Sequence, residues 1–403
     1  MSAADRTVPV VRGDVGPGWE PVRRAFAAIM GRPGEHGAGL HVIHRGKAVV
    51  DLYAGNDASG PYGPETRQVV FSASKGIAAA CLAVLADRGD LDFDAPVARY
   101  WPEFARRGKS GITVAHMLSH QAGLVAPARA VTLAEVLDGR PLADVLAAEP
   151  PRWPPGRPGY HAVTWGTLAD ELVRRVTGGR LGEVLDELVC RPRGLAIGIG
   201  GAHAGPPPAP VHAATRVPFL VRMTTAVVAR PGTPLWAAMT VGGALTEPPD
   251  RWAARPETLA AHLPAANAVA TARSLARLYA LLLPRVESPD ATSSPGAGSP
   301  SGAEPPLVGE RTWRAAVRPR AAGRDRVLGV RSAFGCGFAL PSRAWRLGSP
   351  TAFGHPGIGG ALGLGDPRRG LALAFLPRTM PADALADARH RTLLDAVTRV
   401  IGR

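Results

Sequence analysis

Lysine is almost missing from this chain. Three lysines, Lys47, Lys75 and Lys109, stand against 44 arginines, so arginine supplies nearly every plain positive charge. Cysteine is equally scarce. Cys81, Cys190 and Cys336 lie far apart in apolar settings, which speaks against a disulfide framework or a cysteine metal site and reads as three buried free thiols. No run of 18 or more apolar residues occurs, so no membrane span is expected. Residues 1–20 lack a continuous apolar segment, so no secretory signal is expected; the expected location is cytoplasmic, with no membrane partner. The net charge of +14 raises the question of nucleic acid. The arginines are dispersed, however, and even Arg318-Pro319-Arg320 lacks interleaved aromatics, so no nucleic-acid partner is expected. Internal repeats are absent, and so is any Gly-x-Ser-x-Gly pentapeptide, the elbow of one large class of serine enzymes.

What is present suffices for a large core: 403 residues, 46% hydrophobic and 20% charged. Residues 1–17 read as a poorly ordered leader. Val22, Phe26, Ile29 and Met30 have helical spacing. The runs 39–44 and 48–53 flank Arg45-Gly46-Lys47 as a β-hairpin. A buried helix is expected from Ser72 to Arg88, stopped by Gly89. Residues 90–283 read as mostly helical, and 284–309, rich in Pro, Ser, Gly and Ala, as a disordered insertion. Strands are expected at 334–340, 352–364 and 370–376, and a last helix at 382–401. Strands at both ends with helices between predict an α/β (α+β) architecture. Its antiparallel sheet, flanked by helices, is built from 18–89 and 310–401, with 90–283 as an inserted helical domain.

The rarity of lysine makes Lys75 conspicuous. Ser72 lies three residues before it, in Phe71-Ser72-Ala73-Ser74-Lys75-Gly76. Arginine cannot release its proton in a protein, whereas a buried lysine can act as a base. One helical turn places serine and lysine on the same face, at a helix start where free N–H groups favour an oxyanion. A second candidate is Tyr160, in Gly159-Tyr160-His161-Ala162-Val163-Thr164-Trp165-Gly166; beside a cationic lysine its phenol would ionise more readily. The third is Gly354-His355-Pro356-Gly357-Ile358-Gly359-Gly360, whose glycines permit close backbone approach. Metal sites are not favoured: His41 and His44 fall on opposite faces of a strand, and His116 and His120 lack the acidic partner of a zinc helix, so the latter pair read as core or capping residues.

Taken together, Ser72-Ala73-Ser74-Lys75, Tyr160-His161-Ala162 and His355-Pro356-Gly357 resemble, in order and spacing, the three motifs of the serine β-lactamase and DD-peptidase superfamily, in its class C-like branch of family VIII-type carboxylesterases. The segments 112–124, 267–279 and 359–367 are similar to that family as well. The resemblance implies a β-lactamase/transpeptidase-like fold with the serine between sheet and helical domain. It implies Ser72 as nucleophile, Lys75 and Tyr160 as the proton-transfer pair, and the N–H groups of Ser72 and Ile358 as oxyanion hole. His355, Gly357, His161 and Trp165 are then expected to contact substrate. No cofactor or metal is implied, and the partner is a small-molecule ester or acyl donor. The oligomeric state is left open.

Two departures narrow the chemistry. Ala162 replaces the asparagine of the second motif, and Pro356 removes the hydroxyl of the third, while His355 is a weaker cation than lysine. A β-lactamase uses these groups to hold its anionic substrate. The expected reaction is therefore hydrolysis of small carboxylic esters through an acyl-enzyme on Ser72. The alternatives are acyl transfer to an alcohol or amine, weak β-lactamase or DD-peptidase-like turnover, and a non-catalytic interaction protein on the same fold.

Overall fold

The computed structural model describes residues 10–202, 205–284 and 304–402. Its centre is a six-stranded sheet in which every pairing is antiparallel. The strands are β1 (Val11–Val15), β2 (Gly37–His44), β3 (Lys47–Gly55), β4 (Phe353–Pro356), β5 (Leu362–Asp366) and β6 (Leu371–Pro377), in the spatial order β1-β3-β2-β6-β5-β4. Both chain ends thus meet at the β2–β6 pair, where Leu40 faces Phe375 and Val42 faces Leu373.

Strand alternation assigns each face its own helices. Leu40 and Phe375 point toward helix α1 (Glu20–Met30), whose Phe26 meets Phe375 edge-on at 6.4 Å. The last helix (Ala388–Ile401) covers the same face, with His390 against Phe375. On the opposite face, small residues admit a helix at close range. A Cβ on Gly363 would lie 2.5 Å from the Tyr279 ring, so only glycine lets the helix Ala272–Leu281 settle there. Helix α2 (Ser74–Asp87) is apolar almost all round, and its residues from Ser74 to Leu85 are buried. Such a helix belongs inside the molecule. Three further helices matter below: α3 (Thr164–Thr177), α4 (Phe219–Val228) and α5, the Ala272–Leu281 helix just described; the C-terminal helix is α6.

Several sequence expectations need correction. Residues 11–15 are not a leader but edge strand β1, paired with β3 from Val11–Ala54 to Val15–Val50; residues 1–9 lie outside the described residues. The expected single strand 352–364 is two strands, β4 and β5, separated by a glycine-rich turn. The expected strand at 334–340 is mostly irregular, since regular pairing ends at Phe334. The last helix starts at Ala388 rather than 382. Helix α5 falls inside the region assigned to the helical insertion, yet it packs on the sheet. Of the expected insertion loop, 285–303 lie outside the described residues. Residues 304–309 are tied down: Leu307 N–H donates to Leu281 at 2.8 Å and Val308 is buried.

One buried ion cluster locks α6 to the loop after α1. The Arg389 guanidinium reaches Glu35 at 3.1 Å and Asp387 at 2.8 Å and donates to the Thr379 carbonyl at 2.8 Å. Its side chain is 4% exposed and those of Glu35 and Asp387 are 9% and 3%. Removing the cation would leave two facing carboxylates with little water. Arg389→Ala is expected to lose about 3–5 kcal/mol, read as a lowered urea midpoint. An unchanged midpoint would mean that the cluster is solvated and dispensable.

Candidate active site

Ser72 sits in a short 3₁₀ turn, Phe71–Ala73, that runs directly into α2. Phe71 holds φ at +49°, a costly value for an aromatic residue. Its ring is held against Gly359, where a Cβ would lie 2.5 Å from the ring, and edge-on to Trp252 at 6.0 Å. The strained residue therefore turns the chain so that Ser72, half-buried, stands just before the helix while Phe71 is clamped beneath.

One turn on, Lys75 is fully buried. Its Nζ lies 3.3 Å from Ser72 Oγ and donates to the carbonyls of Ala162 at 2.7 Å and Ala265 at 3.1 Å. Burial drives its pKa well below the usual lysine range, and no carboxylate among the described residues offsets that desolvation. A neutral amine has two N–H bonds and one lone pair. With both N–H groups on the two carbonyls, the lone pair is left for the Ser72 hydroxyl proton.

Tyr160 completes the group. Lys75 Nζ is 4.9 Å from its ring centroid, and Ser72 is a side-chain hydrogen-bond partner of its phenol. The expectation that Tyr160 ionises easily is corrected here. Burial raises its pKa, outweighing the lowering by the hydrogen bond shared with Ser72, and Asp325 raises it further. Burial likewise pushes the neighbouring lysine toward its neutral form, so it aids ionisation less than the expectation assumed. The ring packs against His120 at 4.8 Å, Trp345 at 5.7 Å and Phe334, stacked at 6.1 Å.

The backbone carrying Tyr160 is anchored by residues that sequence reasoning passed over or assigned elsewhere. Asp325, buried, accepts from the N–H groups of Tyr160 at 3.0 Å, Val327 at 2.8 Å and Leu328 at 2.9 Å, and from Ser332 Oγ at 3.0 Å. Lying between two arginines, Asp325 carries no local signal of burial. His161, expected to contact substrate, is instead a clamp within the core. Its Nε2 accepts from Leu124 N–H at 2.9 Å, its Nδ1 bonds the Gly159 carbonyl at 2.7 Å, and burial pushes its pKa down to about 4. Trp165 is likewise buried, donating from Nε1 to the Leu118 carbonyl at 2.9 Å. Neither side chain has a polar atom left for a ligand. His116 caps the helix begun at Thr113, and His120 is buried, as expected.

The third motif closes the site from the sheet. A Cβ on Gly357 would lie 2.3 Å from the Val70 carbonyl oxygen, so glycine lets the end of β4 touch the chain just before Ser72. In the turn that follows, Gly357 N–H donates to Ala361 at 2.7 Å and Gly360 N–H to Gly357 at 2.9 Å. The Ile358 N–H between them is used by none of the described backbone carbonyls. His355 is fully buried, its Nδ1 bonded to the Pro356 carbonyl at 2.8 Å. Burial, and then Lys75, push its pKa down to about 3, so it is neutral rather than the weak cation expected from sequence. Its Nε2 has no partner among the described residues. No cluster of His, Cys, Asp or Glu among the described residues could hold a metal ion.

This fold and this arrangement have counterparts among known proteins. The β-lactamase family profile matches residues 22–397. The chain belongs to the β-lactamase family. Within it, the chain is similar to the esterase/beta-lactamase LipL of Mycobacterium tuberculosis, with 34% identity over 386 residues, covering 91% of this chain and 82% of that protein. The solved structure of EstA from Arthrobacter nitroguajacolicus Rue61a superposes with a TM-score of 0.81 at 32% identity, covering 96% of this chain and 98% of that one. A family VIII carboxylesterase superposes equally well, TM-score 0.81 at 31% identity, over 97% of this chain and 100% of its own.

The Gly357 contact yields a direct test. Gly357→Ala forces the strand end away from Val70. Labelling of Ser72 by a fluorophosphonate probe is expected to slow roughly a hundredfold, the scale of a small misplacement at a reacting centre. Circular dichroism should be unchanged. Labelling at the wild-type rate would show that strand β4 does not shape the site.

Proposed function

We propose that this β-lactamase-family protein is a serine hydrolase of small carboxylic esters, acting through an acyl-enzyme on Ser72. One observation carries the reading: a fully buried lysine, with no carboxylate partner among the described residues, aimed at a serine hydroxyl 3.3 Å away. The names of the similar proteins, esterase and carboxylesterase, support the same class.

In the proposed mechanism Ser72 Oγ attacks the ester carbonyl carbon while its proton passes to the Lys75 amine. The carbonyl π electrons move to oxygen, which is met by the N–H groups of Ser72 and Ile358. As the tetrahedral intermediate collapses, the C–O bond to the alcohol breaks. Tyr160 gives its phenol proton to the leaving oxygen and regains one from Lys75. Water then attacks the acyl-serine by the reverse relay, giving acid and free Ser72. Gly357 positions this hole, and His355 acts as a neutral packing group beside Tyr160. The partner is a small neutral ester. The cytoplasm belongs to the same proposal, supported by three cysteines that are free and buried.

The lysine test follows from its proton. Ser72→Ala should abolish formation of the acyl adduct seen by intact mass after p-nitrophenyl butyrate. Lys75→Arg keeps a charge but removes the base, and kcat should fall by several orders of magnitude. In the wild type the reactive form is the free amine. Activity therefore rises with pH through the depressed lysine pKa and is already on its plateau far below the usual lysine range. Near-normal turnover by Lys75→Arg at any pH would refute a proton-accepting role.

Substrate charge gives a second test. With Pro356 lacking a hydroxyl and His355 neutral, nothing in the third motif offers a charged or hydroxylic hold on a carboxylate. A hydrogen bond to a charged group is worth about 1.5–3 kcal/mol, so one lost contact lowers kcat/KM roughly ten- to a hundredfold. Nitrocefin should be turned over far more slowly than p-nitrophenyl butyrate. A nitrocefin kcat/KM at or above that of the ester would favour lactam hydrolysis. An acyl-Ser72 that persists until an alcohol or amine is added would instead favour acyl transfer.

A further inference from the structure

Large apolar side chains are exposed at seven described positions, and five of them, Val217, Phe219, Met223, Val227 and Val228, belong to helix α4 or the residue pair before it. This is a patch, not the scatter found on any surface. Phe219, Met223 and Val227 recur every four residues and so share one face, at 69%, 49% and 58% exposure. Helix α5 shows the usual outcome for such a stripe: its Leu275, Leu278 and Tyr279 are buried. On α4 the equivalent stripe faces outward.

Charge indicates what covers it. From Leu188 to Thr246 the chain has no aspartate or glutamate, and five arginines. Arg216 precedes α4, Arg222 lies within it and Arg230 follows it. The Arg222 guanidinium is 6.0 Å from the Phe219 ring centroid, so a fixed cation and an aromatic anchor share one side of the helix. An isologous contact with a second copy would bring this arginine set against itself. An anionic lipid surface satisfies both features, taking the apolar stripe at the acyl boundary and the guanidinium groups among its phosphates. At ten residues α4 is about 15 Å long, enough to lie in an interface and too short to cross a bilayer.

The helix also has a functional position. Just before it, Ala209 N–H donates to the Arg67 carbonyl at 2.7 Å and His212 N–H to the Arg378 carbonyl at 2.7 Å. After it, Trp252 returns to the Phe71 ring. Phe71, Val211, Trp252, Ile358 and Met380 form one apolar cluster next to Ser72. Helix α4 is thus the outward tip of an excursion whose two ends both border the site.

We propose that α4 is an interfacial helix that docks the protein on an anionic lipid surface with Ser72 beside it. This revises the expectation of no membrane partner, and it is independent of the reaction assigned to Ser72. The test is co-sedimentation of the full chain with phosphatidylglycerol/phosphatidylcholine vesicles and with pure phosphatidylcholine vesicles. The chain should bind the mixed vesicles, release in high salt, and bind the neutral ones weakly. Each arginine contributes roughly fivefold to partitioning on an anionic surface. Arg222→Glu and Met223→Glu should each lower partitioning at least about tenfold while p-nitrophenyl butyrate turnover stays at the wild-type value. Absence of vesicle binding would overturn the proposal. So would equal binding by Met223→Glu, or a wild-type dimer that Met223→Glu converts to monomer, since a second copy would then be what covers the stripe.

Discussion

The desolvation of Lys75 is the constraint around which the site is organised. A buried ammonium without a counter-ion among the described residues is costly, and that cost pushes the group toward giving up its proton. Two carbonyl oxygens, from Ala162 and Ala265, then accept its N–H groups. Those carbonyls come from separate loops, one leading into α3 and one leading toward α5. The amine therefore fixes the helical region against the sheet as well as aiming at Ser72. Arginine, which this chain uses almost everywhere else, would remain charged and would not fit the two-carbonyl cradle.

Backbone proximity does the remaining positioning. Gly357 brings β4 onto Val70, Gly359 receives the Phe71 ring, and Gly363 lets Tyr279 of α5 lie on the sheet. The strain at Phe71, on the order of 1–3 kcal/mol for a non-glycine residue in the left-handed region, is held by this packing. A residue free to relax there would let the start of α2 turn away from the strand. Order in the sheet and placement of the serine are thus one problem, solved by small residues where three backbones meet.

How much of this could be read from sequence follows from the range of each interaction. The β2–β3 hairpin and α2 were legible because their apolar period and turn residues are local. The grouping of Ser72, Lys75 and Tyr160 was legible because rarity and spacing single them out. Strand β1 was not: Gly13 and Asp14 interrupt any alternation, and its stability comes from pairing with β3. The break between β4 and β5 was hidden because Gly357-Ile358-Gly359-Gly360 has no polar turn residue. Asp325 is far in sequence from the loop that it anchors. Adjacency to Tyr160 points to His161 and Trp165 as substrate contacts, whereas burial turns both toward backbone carbonyls and an N–H. Protonation is hidden from the sequence for the same reason. Sequence shows which groups are neighbours, but not that burial drives a lysine, a tyrosine and a histidine alike toward their neutral forms.

That shared neutrality bears on catalysis. With burial pushing Lys75, Tyr160 and His355 alike toward their neutral forms, a neutral ester enters without displacing a counter-ion. On the proposed mechanism, charge appears only as the serine adds to the carbonyl, when the amine becomes an ammonium and the carbonyl an oxyanion. The two are born together in a site shielded from water, where their attraction is stronger than in solvent. On that mechanism the backbone N–H groups of Ser72 and Ile358 would meet the oxyanion as it forms, with little reorganisation. A permanently charged site would bind an anionic ground state well and gain less on going to the transition state. A neutral one concentrates its electrostatic gain in the step that must be accelerated.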